Sequence, residues 1–288
     1  MTLSPSELNE LADVAEAAAQ SAGEMIARSR PQSIEHKSEA TTPASQVVTE
    51  IDRASEQIIV QALEPTIRQY SLALLTEESE DDGGRLTAEY FWCIDPLDGT
   101  LPYIEGSRGY SVSIALVDRS GRPHIGVVYD PLEKITYRAA AGVGVFRDGL
   151  RWIPKDASTG EVFSVFVTSG FSMRAEHAEL LDVLEQIAAE LGCDRLEVFT
   201  TGGAVLKACW ALASSPACFI LLPGPTGASL WDFAATACLF DVVGEPGTAF
   251  DGSPLDLNRE ESTNMGERGV VFATDSALAA RIRSLLVT

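Results

Sequence analysis

WCIDPLDGT, from Trp92 to Thr100, reads as a buried strand that runs into a turn and opens a helix. Asp95 and Asp98 lie three apart with Pro96 between them. Proline fixes its own φ and removes a backbone donor, so the chain is held while both carboxylates point the same way. Such a pair suits a hard divalent cation, because Mg²⁺ takes carboxylate oxygens together with substrate phosphate and water. Gly99 and Thr100 then offer backbone N–H groups at a helix start, which is an anion site. The bland alternative is turn chemistry, since Asp and Gly are both favoured in turns.

Working outward, TEES places Glu77 and Glu78 just after the apolar run Leu72 to Leu75, and Asp232 in SLWDFAATA directly precedes a helical pattern. Three acidic points at the ends of separate elements look like one oxygen-ligand site. An acid at the start of a helix is also what the helix dipole alone would favour.

Composition narrows the partners. The 288 residues are 45% hydrophobic, enough for a sizeable core in one large domain or two closely joined halves. The apolar runs, such as Ala217 to Pro223, are far shorter than a bilayer span, and the N-terminus lacks a basic region followed by an apolar stretch, so a cytoplasmic protein is expected. Five scattered cysteines without C-x-x-C spacing read as buried free thiols, and with only three histidines a nitrogen–sulfur metal site is disfavoured. A formal net charge of −21 repels nucleic acid polymers and anionic membranes; a phosphorylated substrate would be repelled as well unless a bound cation reverses the local sign.

Along the chain, Ser4, Pro5 and Glu7 form a capping-box start to a long helix whose stripe is Leu8, Leu11, Ala15, Ala18, Ala22, Met25 and Ile26, stopped by Pro31. The polar segment 32–45 reads as a connection, a hairpin or flap. A second helix has Thr49 as N-cap and Asp52 at its third position, and is expected to end at Pro65. Alternation in Tyr110–Val117 and Ile125–Tyr129 predicts an antiparallel meander; Gly142 and Gly144 read as a turn rather than a dinucleotide loop. Beyond Trp152 strands alternate with helices: strand Glu161–Thr168, helix Glu176–Leu191, strand Asp194–Val198, a helix from GGAVLKAC and strand ACFILLP. The shift suggests two lobes: 1–152, an α+β half with an antiparallel sheet and most metal ligands, and 153–288, an α/β half with the last ligand and substrate-pocket residues.

DPLDGT, the preceding EES and the later WDFAA together resemble the inositol monophosphatase superfamily, Mg²⁺-dependent and lithium-sensitive phosphatases that include bisphosphate nucleotidases. The likeness covers about residues 8–285. It implies an α+β fold, a layered αβαβα sandwich, and two or three Mg²⁺ ions. By that likeness Glu77, Asp95 and the Leu97 carbonyl hold one ion, and Asp95, Asp98 and Asp232 hold a second. Glu77 and Thr100, with Asp52 behind the threonine, orient the attacking water, and Gly99 and Thr100 receive the phosphate. The family is often dimeric, so a homodimer is possible.

Substrate identity is less fixed. The resemblance implies inositol monophosphate or a similar polyol phosphate, yet Leu101, Pro102 and Leu222 stand where polyol-binding groups are common, and Gln46 and Thr76 depart from the usual acid and glycine. GGAVLKAC and GPT, with Gly203, Ala204, Lys207 and Gly224 to Thr226, instead look like nucleotidases acting on 3′-phosphoadenosine 5′-phosphate; Lys207 would face a second phosphate. As a plain helix lysine, Lys207 would snorkel to solvent. A non-catalytic metal- or phosphate-binding protein is the third reading.

Overall fold

The structure, a computed structural model, describes residues 2–29, 34–36, 47–154, 161–225 and 227–284. Pro31, Gln46 and Thr226 lie outside these. The polar segment 32–45 does too, apart from the backbone of 34–36.

Helix α1 (Pro5–Arg28) starts as read: the Glu7 N–H donates to Ser4 Oγ and Glu7 Oε2 accepts from the Ser4 N–H at 2.8 Å. Short strands β1 (Ile34–His36) and β2 (Val47–Thr49) pair antiparallel and lead into α2 (Glu50–Tyr70). The expected stop at Pro65 is wrong, since α2 continues to Tyr70. Proline forfeits one helical hydrogen bond, but the next residue, Thr66, is buried, donates to Leu63 O at 2.6 Å and accepts from the Trp92 indole at 3.0 Å. Tertiary anchoring on the sheet outweighs the local break.

One sheet has the order β3 (Ala73–Thr76), β4 (Tyr90–Asp98), β5 (Ser111–Asp118), β6 (Pro123–Asp130), β7 (Ile135–Ala140), β8 (Gly144–Arg147) and β9 (Leu150–Arg151). β3 and β4 are parallel; the rest is the meander, with Gly142 at φ 74° turning β7 into β8. The second sheet runs β11 (Arg195–Phe199), β10 (Val162–Val167), β12 (Ala217–Leu221), β13 (Val270–Ala273). Connectivity therefore changes between β9 and β10.

Side-chain parity assigns the layers, because successive strand residues face opposite sides. Trp92, Ile94, Val112, Ile114 and Leu116 pack with α1 and α2. Their neighbours Phe91, Cys93, Ala115 and Val117 pack with α5 (Ala204–Ala213) and α6 (Ala234–Val243), whose far side meets Phe166, Phe219 and Phe272 of the second sheet. The other face of that sheet, with Val165, Ile220 and Val271, is covered by α4 (His177–Glu190) and α7 (Ser276–Arg283). The result is an α+β fold in five layers, αβαβα. All five cysteines are free, and Cys193 alone is not fully buried. No described helix is long and apolar enough to cross a membrane.

Candidate metal centre and active site

Asp95 follows Phe91 and Cys93 in parity and so faces the α5/α6 layer. On a regular strand Asp98, three residues later, would point the opposite way. The register shows why it does not: Asp95 pairs with Ser113 but Asp98 with Ser111, so three steps on β4 oppose two on β5. That extra residue is a bulge, centred on Pro96 and Leu97, where proline's missing N–H costs no ladder bond. Leu97 N–H donates to Asp95 Oδ1 at 3.0 Å, and Ser55 Oγ holds the Pro96 carbonyl at 2.7 Å.

Beyond the bulge, Gly99 (φ 80°) turns the chain into the short helix α3 (Thr100–Glu105). Any side chain at Gly99 would strike Gly109 O, 2.5 Å from an ideal Cβ. Thr100 Oγ1 lies 3.2 Å from both Asp52 Oδ1 and Leu97 O, and Asp52 is 2% exposed. With its proton directed to these acceptors, Thr100 keeps a lone pair to accept from a water.

Asp232 ends a tight turn, Leu230–Asp232, just before α6, and its Oδ2 accepts from Ser229 N–H at 2.6 Å. The neighbouring Trp231 carbonyl accepts from Ser113 Oγ at 3.4 Å, and Ser113 is the cross-strand partner of Asp95. This contact brings residue 232 to residue 95. Carboxylate oxygens of Asp95, Asp98 and Asp232 all lie within 4.8 Å of one another.

Asp98 has a second task that the sequence did not show. Its Oδ1 accepts from Ala204 N–H at 3.1 Å and its Oδ2 from Val205 N–H at 3.0 Å. The carboxylate thereby caps α5, which begins after Gly203 without a capping side chain. A helix whose N-cap is glycine leaves its first N–H groups in need of an outside acceptor; that was the available signal. Gly203 N–H itself goes to Gly109 O at 2.6 Å. Gly203 and Ala204 line the cleft, but both amides are engaged within the protein.

Lys207, one turn into α5, does not snorkel. It is 2% exposed, and its Nζ donates to Val167 O at 2.8 Å. Burial pulls its pKa down to about 8, against the pull of nearby Asp98. Leu222 packs in the core with α4 rather than at the site; Leu221 lines the cleft in its stead.

The cleft, about 220 Å³, is lined by Glu77, Asp95, Leu97, Asp98, Gly99, Thr100, Lys207 and Asp232. Pro102, Thr168, Gly170, Gly202, Leu221, Gly227, Ala228 and Trp231 complete the wall, and of these Thr168, Gly170, Gly227 and Ala228 were not read as site residues from the sequence. Glu77 lies outside the tight trio, although its charge reaches all three members.

Burial, then mutual repulsion with Glu77 and the neighbouring aspartates, raises Asp95 well above the usual carboxylate range, and burial likewise raises Asp232. Asp98 is pushed up to about 7, chiefly by burial, against the opposing pull of Lys207 and two backbone N–H groups. Hard oxygen donors carrying uncompensated repulsion fit a divalent cation, which would hold all three ionised.

A carboxyl whose folded pKa exceeds its unfolded value, about 3.9, adds stability below that value and loses it as pH rises through the folded pKa. Metal-free protein is therefore expected to lose stability between about pH 4 and about pH 7 relative to the Mg²⁺-loaded form. Urea midpoints across this window, in chelator and in Mg²⁺, check it; two parallel curves would contradict it.

Comparison with known proteins agrees with this architecture. The inositol monophosphatase family profile matches residues 7–287. The chain is 33% identical to Nus factor SuhB of Pseudomonas aeruginosa over 242 residues, 84% of this chain and 86% of the relative. It is 22% identical to inositol-1-monophosphatase of Bacillus subtilis over 268 residues, covering 91% and 93%. Its fold matches an IMPase from Thermotoga maritima with a TM-score of 0.72 at 22% identity, over 96% of this chain and 97% of that one. With a profile spanning almost its whole length and the same five-layered fold, the chain belongs to the inositol monophosphatase family.

Proposed function

We propose that the protein is a Mg²⁺-dependent phosphomonoesterase acting on a small phosphorylated metabolite, inositol monophosphate or a similar polyol phosphate. The observation that carries this is the meeting of Asp95, Asp98 and Asp232 within 4.8 Å, in one cleft with Glu77 and the Asp52-backed hydroxyl of Thr100. Residues 1–152 contribute Glu77, Asp95, the Leu97 carbonyl, Asp98 and Thr100; residues 153–288 contribute Asp232 and much of the wall. Two or three divalent cations, when bound, would lower the pKa of the attacking water and neutralise charge on the leaving oxygen.

The chain's own groups do the positioning. Thr100 Oγ1, its proton directed to Asp52 or Leu97 O, accepts from the water on one side, and the Glu77 carboxylate accepts on the other. The N–H groups of Gly99 and Thr100, at the start of α3, face phosphate oxygens. Gly203 and Ala204 form the wall against which the ester rests. A net charge of −21 supports a small anionic ester drawn in by cations, rather than a nucleic acid polymer or an anionic membrane, as partner.

The nucleotidase reading depends on Lys207 meeting a second phosphate. One of its three N–H donors is held by Val167 O and its charge is drawn to Asp98, which leaves less of it for a second phosphate and favours the polyol ester. Turnover of myo-inositol 1-phosphate should exceed that of 3′-phosphoadenosine 5′-phosphate by about tenfold or more in kcat/KM, the worth of a single buried hydrogen bond to the substrate. The reverse order would establish the nucleotidase. Mg²⁺ binding without phosphate release from either ester would point to another ester or to a non-catalytic role, an outcome kept in view by relatives named Nus factor.

A further inference from the structure

We propose that Glu56 is a positioning residue that aims Glu77 into the cleft, through hydrogen bonds made on both sides of it. Glu56 Oε2 accepts from Thr76 Oγ1 at 2.5 Å and from the Glu78 N–H at 3.1 Å, while Oε1 accepts from Ser79 Oγ at 2.5 Å. These three contacts bracket Glu77 in the turn. Its own N–H donates to Ile94 O at 3.3 Å, the residue before Asp95. The peptide groups on either side of the Glu77 Cα are thus fixed, one by β4 and one by Glu56. With both flanking peptides held, the direction of the Cα–Cβ bond is set.

Helical spacing explains why Glu56 can do this. It lies four residues after Asp52, on the same face of α2, and Ser55 lies between. Little more than one turn of α2 therefore grips three pieces of the site: Asp52 takes Thr100, Ser55 takes the bulge at Pro96, and Glu56 takes the Glu77 turn. Three donors converge on Glu56, two hydroxyls and one amide, and the two oxygens of a carboxylate have lone pairs enough to accept from all of them.

The inference rests on the reading of Glu77 as a cation-binding, water-orienting group. Its test compares wild type with Glu56→Ala, Glu56→Gln and Thr76→Val by calorimetric titration of Mg²⁺ into metal-free protein. Amide hydrogen exchange of residues 76–79 without metal and phosphate release against Mg²⁺ concentration accompany it. Glu56→Ala is expected to weaken Mg²⁺ binding about 10- to 100-fold, the usual cost of removing a group that orients a ligand, and to speed exchange at the Glu78 amide. Glu56→Gln keeps one acceptor oxygen and can donate to Ser79 Oγ, so it should recover most of the loss. A folded Glu56→Ala that binds Mg²⁺ as wild type does would overturn the proposal. Should that variant fail to fold, Thr76→Val decides, with about fivefold weaker binding expected for one missing hydrogen bond and unchanged binding overturning it. If wild type binds Mg²⁺ but releases no phosphate, the phosphatase reading fails while the calorimetry still judges Glu56.

Discussion

Replacing Asp98 with asparagine is expected to lower Mg²⁺-dependent phosphate release by about a thousandfold, equivalent to about 4 kcal/mol of transition-state stabilisation. Two losses combine in that one change. The amide removes a negative charge from the trio that would hold a cation. It also replaces an acceptor by an NH₂ group that faces the N–H of Ala204 or Val205, a donor against a donor. The metal-free fold should survive, because burial, and more weakly the charge of Glu77, already raise the Asp98 pKa, so a neutral group is tolerated there. Phosphate release and circular dichroism on the same sample check both halves. Retained activity would remove Asp98 from the cation site.

Gly203→Ala is expected to cut turnover about 100-fold without altering any ligand, the scale of a misplacement of about 1 Å at a reacting centre. An ideal Cβ at Gly203 would lie 2.1 Å from Asp98 Oδ2 and 2.5 Å from its Cγ. The backbone φ of −68° suits alanine, so conformational strain is not the cause. The carboxylate must move, and in moving it releases the two N–H groups that start α5. Half-saturating Mg²⁺ should rise together with the fall in kcat, and overpacking should cost about 1–3 kcal/mol of stability. Wild-type Mg²⁺ dependence in this variant would mean that the contact between α5 and Asp98 plays no part in catalysis.

Residues 92–100 disclosed the strand, the turn and the paired acids because proline and glycine constrain the backbone locally. The bulge that turns Asp95 and Asp98 to one face is a matter of pairing with β5, and spacing in one strand cannot show it. That Asp232 joins Asp95 was suggested by acids at the ends of separate elements and strengthened by resemblance to a family, since the long stretch between them carries no periodic signal that would join the two. Local rules failed where distant packing prevailed. Pro65 did not end α2, because Thr66 is anchored by Trp92; Lys207 did not reach solvent, because the Val167 carbonyl on β10 accepts a hydrogen bond from its ammonium. Glu56 passed unnoticed although it sits one helical turn from Asp52, because its partners, Thr76, Glu78 and Ser79, belong to another element.

The central claim is that Asp95, Asp98 and Asp232 share a divalent cation. Anomalous diffraction from crystals soaked in Mn²⁺, a scatterer in place of Mg²⁺, tests it directly. The expected result is a peak in the cleft within about 2.1 Å of oxygens from these aspartates, weakened or absent in the Asp98→Asn protein. Peaks confined to other parts of the surface, with none among the three carboxylates at saturating Mn²⁺, would contradict it.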